Sequence, residues 1–254
     1  MKYKEIFDKL GFSKLTEVQS KIENVNKNIL ILSSCGSGKT EASFFKMLEQ
    51  GDKTILVEPM KILADGLHNR LNKYNKKLGL NEVSINYSNN EQDKFLQNKY
   101  SVTTIDQVLS GYLMLGKQSA IRGKNVLTSN LIFDEVQLFD TSTMLLTTIN
   151  MLDELNKLGR KFIIMTATMP DYLISFLTER YNMETIITED NRGDVTVNLF
   201  YNEELDYKKV LEYNDKQIII CNTIKQLREV YENLDKDRVI MLHSNYYNSD
   251  RKEI

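Results

Sequence analysis

An open, parallel α/β sheet covered by helices on both faces, followed by a shorter second lobe, is the fold class this sequence predicts. Three observations predict it. Short Ile/Val/Leu-rich runs alternate with amphipathic stretches along most of the chain. The only two prolines, Pro59 and Pro170, each follow such a run. A polar stretch around residue 190 interrupts the alternation, which then starts again.

The runs come first. NILILSS (28–34), KTILVEP (53–59), VSINY (83–87), YSVTT (100–104), NLIFDE (130–135) and KFIIMTA (161–167) are each apolar over about five residues. Continuous rather than alternating hydrophobicity is the mark of a strand buried on both faces. Between them, 41–50, 62–74, 104–115 and 142–158 carry helical spacing. Strand, helix, strand, helix implies a parallel sheet covered on both faces. A proline just past a strand ends the ladder without damaging it. The stretch ITEDNRGDVT (187–196) is polar and reads as a linker between lobes. The domain expectation is therefore 1–188 for the first lobe, 189–195 for the linker and 196–254 for part of a second. That part has about three strands (VTVNLFY, KQIIICNT, RVIMLHS) and two helices (EELDYKKVLEY, IKQLREVYENL).

Composition excludes several function classes. The 254 residues carry 33 Lys+Arg against 35 Asp+Glu, a net charge of −2. Nucleic-acid contact must then come from a local patch, not from a basic chain. Two cysteines without a Cys-x-x-Cys exclude a disulfide framework and a structural zinc site, and two histidines exclude a His-rich metal centre. The charged start, MKYKEIFDKLGF, has no signal-peptide core, and no run approaches the roughly 18 apolar residues of a bilayer span. A soluble cytoplasmic protein with no membrane partner is expected.

Chemistry concentrates where runs end, because ligands of open α/β sheets gather beyond the carboxyl ends of the strands. SSCGSGKT (33–40) follows a strand and opens a helix, the setting of a phosphate loop. Gly36, Ser37 and Gly38 let backbone N–H groups turn inward as a nest, and the helix start adds its positive end. Lys39 is placed to reach the β and γ phosphates, and the Thr40 hydroxyl to hold Mg²⁺. Ser33 stands where the G-x-x-x-x-G-K-[ST] pattern has its first glycine. DEVQ (134–137) ends the next chemically marked strand. Two adjacent carboxylates after a buried strand are costly unless used. Asp134 is a candidate Mg²⁺ ligand and Glu135 the group that polarises the attacking water. TATMP (166–170) puts two hydroxyls, Thr166 and Thr168, on the following strand end, read either as a plain turn or as a relay from the γ-phosphate site.

In this order the segments resemble superfamily 2 helicases. SSCGSGKTEA, EPMKILADGLHNRL, TTIDQVL, FDEVQLFD and TATMP stand as motifs I, Ia, Ib, II and III, and CNTIKQLREVYENL as motif IV. KLTEVQSK resembles the upstream glutamine motif. TIDQ, DEVQLFD, TATMP and HSNYYNSDR together are similar to one subgroup, the type I CRISPR-associated helicase. Gln137, Thr166 and Asn245 depart from that subgroup's usual words. The resemblance implies a RecA-like first lobe, an incomplete second one, and ATP with Mg²⁺ as cofactors. It makes Gln19 the adenine reader, adds Gln137 to the nucleotide site, and makes Gln137, Thr166 and Thr168 the coupling residues. It places Lys61 and Arg70 (motif Ia), Thr104 (Ib) and Thr223 (IV) along a single-stranded DNA path; the Arg70–Lys77 run also reads as a solvated helix face.

As partners it implies a CRISPR surveillance complex and an HD-type nuclease. The chain has no His-Asp dipeptide, so cutting is expected to reside in a separate protein. Motifs V and VI are expected beyond Ile254. Their arginine finger is worth about 10³–10⁵ in rate, so ATP binding with little turnover is expected. Two alternatives stand beside an ATP-dependent DNA helicase: a DEAD-box RNA helicase, and a non-catalytic nucleotide- or DNA-binding module.

Overall fold

A computed structural model of the chain describes residues 1–87, 90–116, 119–139, 143–188 and 218–243. The chain divides into two compact units, Met1–Gly193 and Asp194–Ile254. The expected linker, 189–195, lies outside the described residues.

The first unit is built on one sheet. Its strands are β1 (Ile29–Leu32), β2 (Thr54–Glu58), β3 (Val83–Tyr87), β4 (Asn90–Glu91), β5 (Tyr100–Thr104), β6 (Asn130–Asp134), β7 (Phe162–Thr166) and β8 (Glu184–Ile187). They lie in the order β4-β3-β5-β2-β6-β7-β1-β8. All neighbours are parallel except β4, a two-residue antiparallel edge on β3. The six predicted strands are all present. β4 and β8 are additions.

Among the described residues, eight α-helices cover this sheet: α1 (Tyr3–Leu10), α2 (Glu17–Ile22), α3 (Lys39–Gln50), α4 (Lys61–Leu78), α5 (Ile105–Tyr112), α6 (Ser119–Leu127), α7 (Met144–Lys157) and α8 (Asp171–Tyr181). Successive strand side chains point to opposite faces, and each face has its own core. Ile29, Ile31, Leu56, Ile132, Ile163 and Met165 pack beneath α1 to α4. Leu30, Ile55, Val57, Leu131, Phe133, Phe162 and Ile164 pack beneath α5 to α8. This is why the runs read as continuously apolar. Edge-to-face rings bind α1, α3 and α4 together: Phe7 to Phe45 at 4.8 Å and Phe45 to Tyr74 at 5.5 Å. Pro59 directly follows β2, whereas Pro170 lies beyond β7 as the N-cap of α8.

In the second unit the described residues hold α9 (Ile224–Glu232) and a 3₁₀ turn, Lys236–Arg238. Residues 218–222 and 239–243 form no strand, although KQIIICNT and RVIMLHS predict two. A strand exists through ladder hydrogen bonds to a neighbour, and these segments have none among the described residues. Ile218 and Ile220 are accordingly 89% and 86% exposed. The predicted strand VTVNLFY, the helix EELDYKKVLEY and Asn245 lie outside the described residues. No helix among those described is long and apolar enough to cross a membrane.

Candidate functional site

Parallel register brings the chemical segments to one edge. Leu32 pairs with Thr166, Asp134 with Met165, and Glu58 with Thr104. Only β7 separates β1 from β6, which puts the loop after β1 about 10 Å from the acids after β6.

The loop between β1 and α3 has the geometry of an anion nest. Gly36 and Gly38 have φ of 81° and 85°, the left-handed region that glycine adopts without strain. Gly38 is also the N-cap of α3. A Cβ there would sit 2.5 Å from the Gln19 amide nitrogen, so a larger residue would displace Gln19 and strain the backbone. Gln19 is held by a capping box: its side chain accepts from Thr16 N–H at 2.9 Å, and its own N–H donates to Thr16 Oγ1 at 3.3 Å. Lys39, only 7% exposed, donates its ammonium to the Ser33 and Ser34 carbonyls at 2.7 and 3.0 Å. The Ser37 hydroxyl is buried without a partner. A cation folded into a nest beside an orphaned hydroxyl fits a bound polyphosphate. Thr40 occupies the first turn of α3.

The acids follow β6. Glu135 adopts φ 48°, a left-handed conformation that costs a non-glycine residue about 1–3 kcal/mol. Its N–H donates to Asp134 Oδ1 at 3.0 Å, and its Oε2 accepts from Gln137 Nε2 at 2.5 Å. Gln137 Oε1 accepts from the Thr166 hydroxyl. The same hydroxyl proton is shared with the Thr168 carbonyl at 2.8 Å, and the oxygen accepts from Thr168 N–H at 3.1 Å. The three coupling candidates and Glu135 therefore form one bonded chain across β6 and β7. Burial raises Asp134 to about 6, Glu135 adds to this, and the Lys39 charge opposes it. Asp134 and Lys39 thus feel each other across β7. Asp134 and Thr40 are the oxygen donors that could hold Mg²⁺ here.

Two features go beyond what was read from the sequence, one at Glu58 and one in the contact that Ser33 makes. Glu58, 2% exposed at the end of β2, lines a cleft of about 380 Å³ with Ile62, Leu63, Arg70, Asp134 and Glu135. Burial, then Asp134 and Glu135, push its carboxyl up to about 8. Its signal was available: a carboxylate ending an apolar run, as Asp134 does. The second is Ser33, whose hydroxyl meets Thr188 Oγ1 at 2.5 Å.

Three nucleic-acid candidates belong to the first unit and one to the second. Lys61 is exposed at the start of α4, and Thr104 is buried at the end of β5. Arg70 pairs with Glu41 of α3 at 3.3 Å and so leans over the acid cleft. Thr223 belongs to the second unit, where it caps α9 by accepting from Gln226 N–H at 3.2 Å.

Known proteins match this arrangement. The family profile described as DEAD/DEAH box helicase matches residues 16–175. A putative CRISPR-associated nuclease/helicase Cas3 of Methanocaldococcus jannaschii is 26% identical over 89% of this chain and 36% of its own length. A CRISPR-associated helicase Cas3 of Thermoproteus tenax is 25% identical over 91% of this chain and 45% of its own. This chain thus spans less than half of either relative. The crystal structure of T. fusca Cas3-ADP superimposes with a TM-score of 0.60 at 21% identity, covering 71% of this chain and 24% of that one. The sheet and its helices therefore have the RecA-like helicase fold.

Proposed function

This chain belongs to the DEAD/DEAH box helicase family, and from that premise we propose that it is the motor of a type I CRISPR interference system. In this reading it is an ATP-dependent DNA helicase or translocase. It works in the cytoplasm on single-stranded DNA, is recruited by a surveillance complex, and leaves cutting to a separate HD-type nuclease. The names and extents of the Cas3 relatives support the system. The second unit, joined by 189–195, belongs to a second RecA-like lobe.

One observation carries the motor reading: the loop at 33–40 and the Glu135–Gln137–Thr166 chain share a single sheet edge. In the reaction, the amides of residues 36–40 and the start of α3 receive the triphosphate. Lys39 leaves the Ser33 and Ser34 carbonyls for the β and γ phosphate oxygens. Thr40 and Asp134 would hold Mg²⁺, which would supply positive charge against the phosphates. Glu135 accepts the proton of the in-line water. Gln137, touching both Glu135 and Thr166, passes the state of the γ-phosphate to the end of β7. Gln19 keeps its Nε2 for the base, since its carbonyl oxygen is used on Thr16. Lys61, Arg70, Thr104 and Thr223 take the DNA backbone, which gives no sequence preference.

The test is ATP hydrolysis by the full chain with and without single-stranded DNA or RNA. DNA-stimulated phosphate release, slow in these 254 residues and abolished by Lys39→Ala, is expected. Equal stimulation by RNA would favour an RNA helicase. ATP binding without release, with or without DNA, would favour a non-catalytic module.

A further inference from the structure

Phosphate loops of this pattern begin on glycine; here the position is Ser33, and all its polar groups are engaged. Its N–H donates to the Thr166 carbonyl at 3.2 Å. Its carbonyl accepts from Lys39 at 2.7 Å. Its hydroxyl, on a side chain buried to 2% exposure, is bonded to Thr188. Thr188 is the first residue past β8, and its N–H donates to the Leu32 carbonyl at 3.1 Å. Next to it, the Ile187 carbonyl accepts from Lys21 at 2.9 Å. Lys21 sits on α2, the helix that carries Gln19 against Gly38. The loop is thereby tied to the point where the chain leaves the sheet towards the second unit.

We propose that Ser33 is a positioning residue for the nucleotide: clamped on Thr188, it holds the first turn of the phosphate loop in its binding shape. Nucleotide affinity then depends on Thr188, a residue outside every helicase motif. The proposal rests on reading the loop as a nucleotide site. A glycine at position 33 has no hydroxyl to make the clamp and frees the backbone. Because binding couplings are reciprocal, a nucleotide in the loop also stiffens the end of β8.

The test is a double-mutant cycle on MgADP affinity, measured calorimetrically on the full chain well below the unfolding temperature of every variant. Ser33→Ala, Ser33→Gly and Thr188→Val should each weaken MgADP roughly threefold to tenfold, the worth of one hydrogen bond. The Ser33→Ala/Thr188→Val double variant should be no weaker than the weaker single, because both remove the same contact. MgADP should also slow exchange of the Thr188 amide in the unmodified chain, and less so in Ser33→Ala. Wild-type affinity in the single variants, even with a lowered melting temperature, would overturn the proposal. So would single effects that multiply. Failure of the unmodified chain to bind MgADP would overturn the nucleotide reading itself, and this proposal with it.

Discussion

Glu58→Gln should stabilise the nucleotide-free protein, and more so as the pH rises. Glu58 is buried at the end of β2, and burial with the neighbouring Asp134 and Glu135 lifts its carboxyl from 4.5 to about 8. The folded protein therefore holds this proton more tightly than the unfolded chain. The stabilising contribution is complete below pH 4.5 and is lost as the pH climbs through 8. At about 1.4 kcal/mol per unit, the span sets an upper bound near 5 kcal/mol. Glu58 faces an open cleft, where water relaxes part of the field, and about 2–3 kcal/mol is the expected change. Glutamine keeps the shape and never ionises. Urea unfolding of both proteins at pH 5, 7 and 9, in EDTA and without nucleotide, checks this. The stability gap between variant and wild type should be small at pH 5 and widen to pH 9. A gap that stays constant with pH would mean that Glu58 does not take up a proton on folding, and the reasoning about its burial would fail.

Three further outcomes follow from the same edge of the sheet. Gly38→Ala would put a Cβ 2.5 Å from Gln19 Nε2 at a φ of 85°; MgADP binding should fall at least tenfold, and Gln19→Ala should restore only part of it because the backbone strain of about 1–2 kcal/mol remains. Thr166→Val removes the hydroxyl bonded to Gln137 and Thr168; nucleotide affinity should change less than threefold while DNA stimulation of hydrolysis drops about tenfold, as steady-state kinetics would report. Asp134, raised to about 6 mainly by burial, can ligate Mg²⁺ only when ionised; the Mg²⁺ dependence of ADP affinity should fade between pH 7 and pH 5, and Asp134→Asn should lack it at both.

The parts of the fold legible in the sequence were those buried on two sides. Strands such as Ile55–Leu56–Val57 feed both cores at once, so their runs stand out without alignment. β8 has one buried residue in four, at Ile186, and lies at the edge, so Glu184–Ile187 carries no such run. α6 escaped for a different reason. SAIRGKNVL has only three buried positions, and it is held by a close approach in which a Cβ on Gly123 would come 2.5 Å from the Gly111 carbonyl. That fit depends on packing against α5, not on an apolar run within α6 itself. Likewise the phosphate loop and the DEVQ acids were readable as local spacing. Arg70 leaning on Glu41 and Ser33 meeting Thr188 were not, because both pairs are made only by the packing of separate elements. The second unit shows the converse: apolar runs at 218–222 and 239–243 predict strands, but without a partner strand among the described residues they form none.

The claim on which the rest depends is that one sheet edge handles both phosphate and metal. A crystal structure of the chain with Mg²⁺ and a non-hydrolysable ATP analogue tests it most directly. The phosphates should lie in the loop at residues 36–40, with the ammonium of Lys39 moved from the Ser33 carbonyl onto them. Mg²⁺ should sit between Thr40 and Asp134, and Glu135 should face the γ-phosphate. A nucleotide bound elsewhere, or bound with Lys39 still on its own loop carbonyls and the acids untouched, would contradict the account.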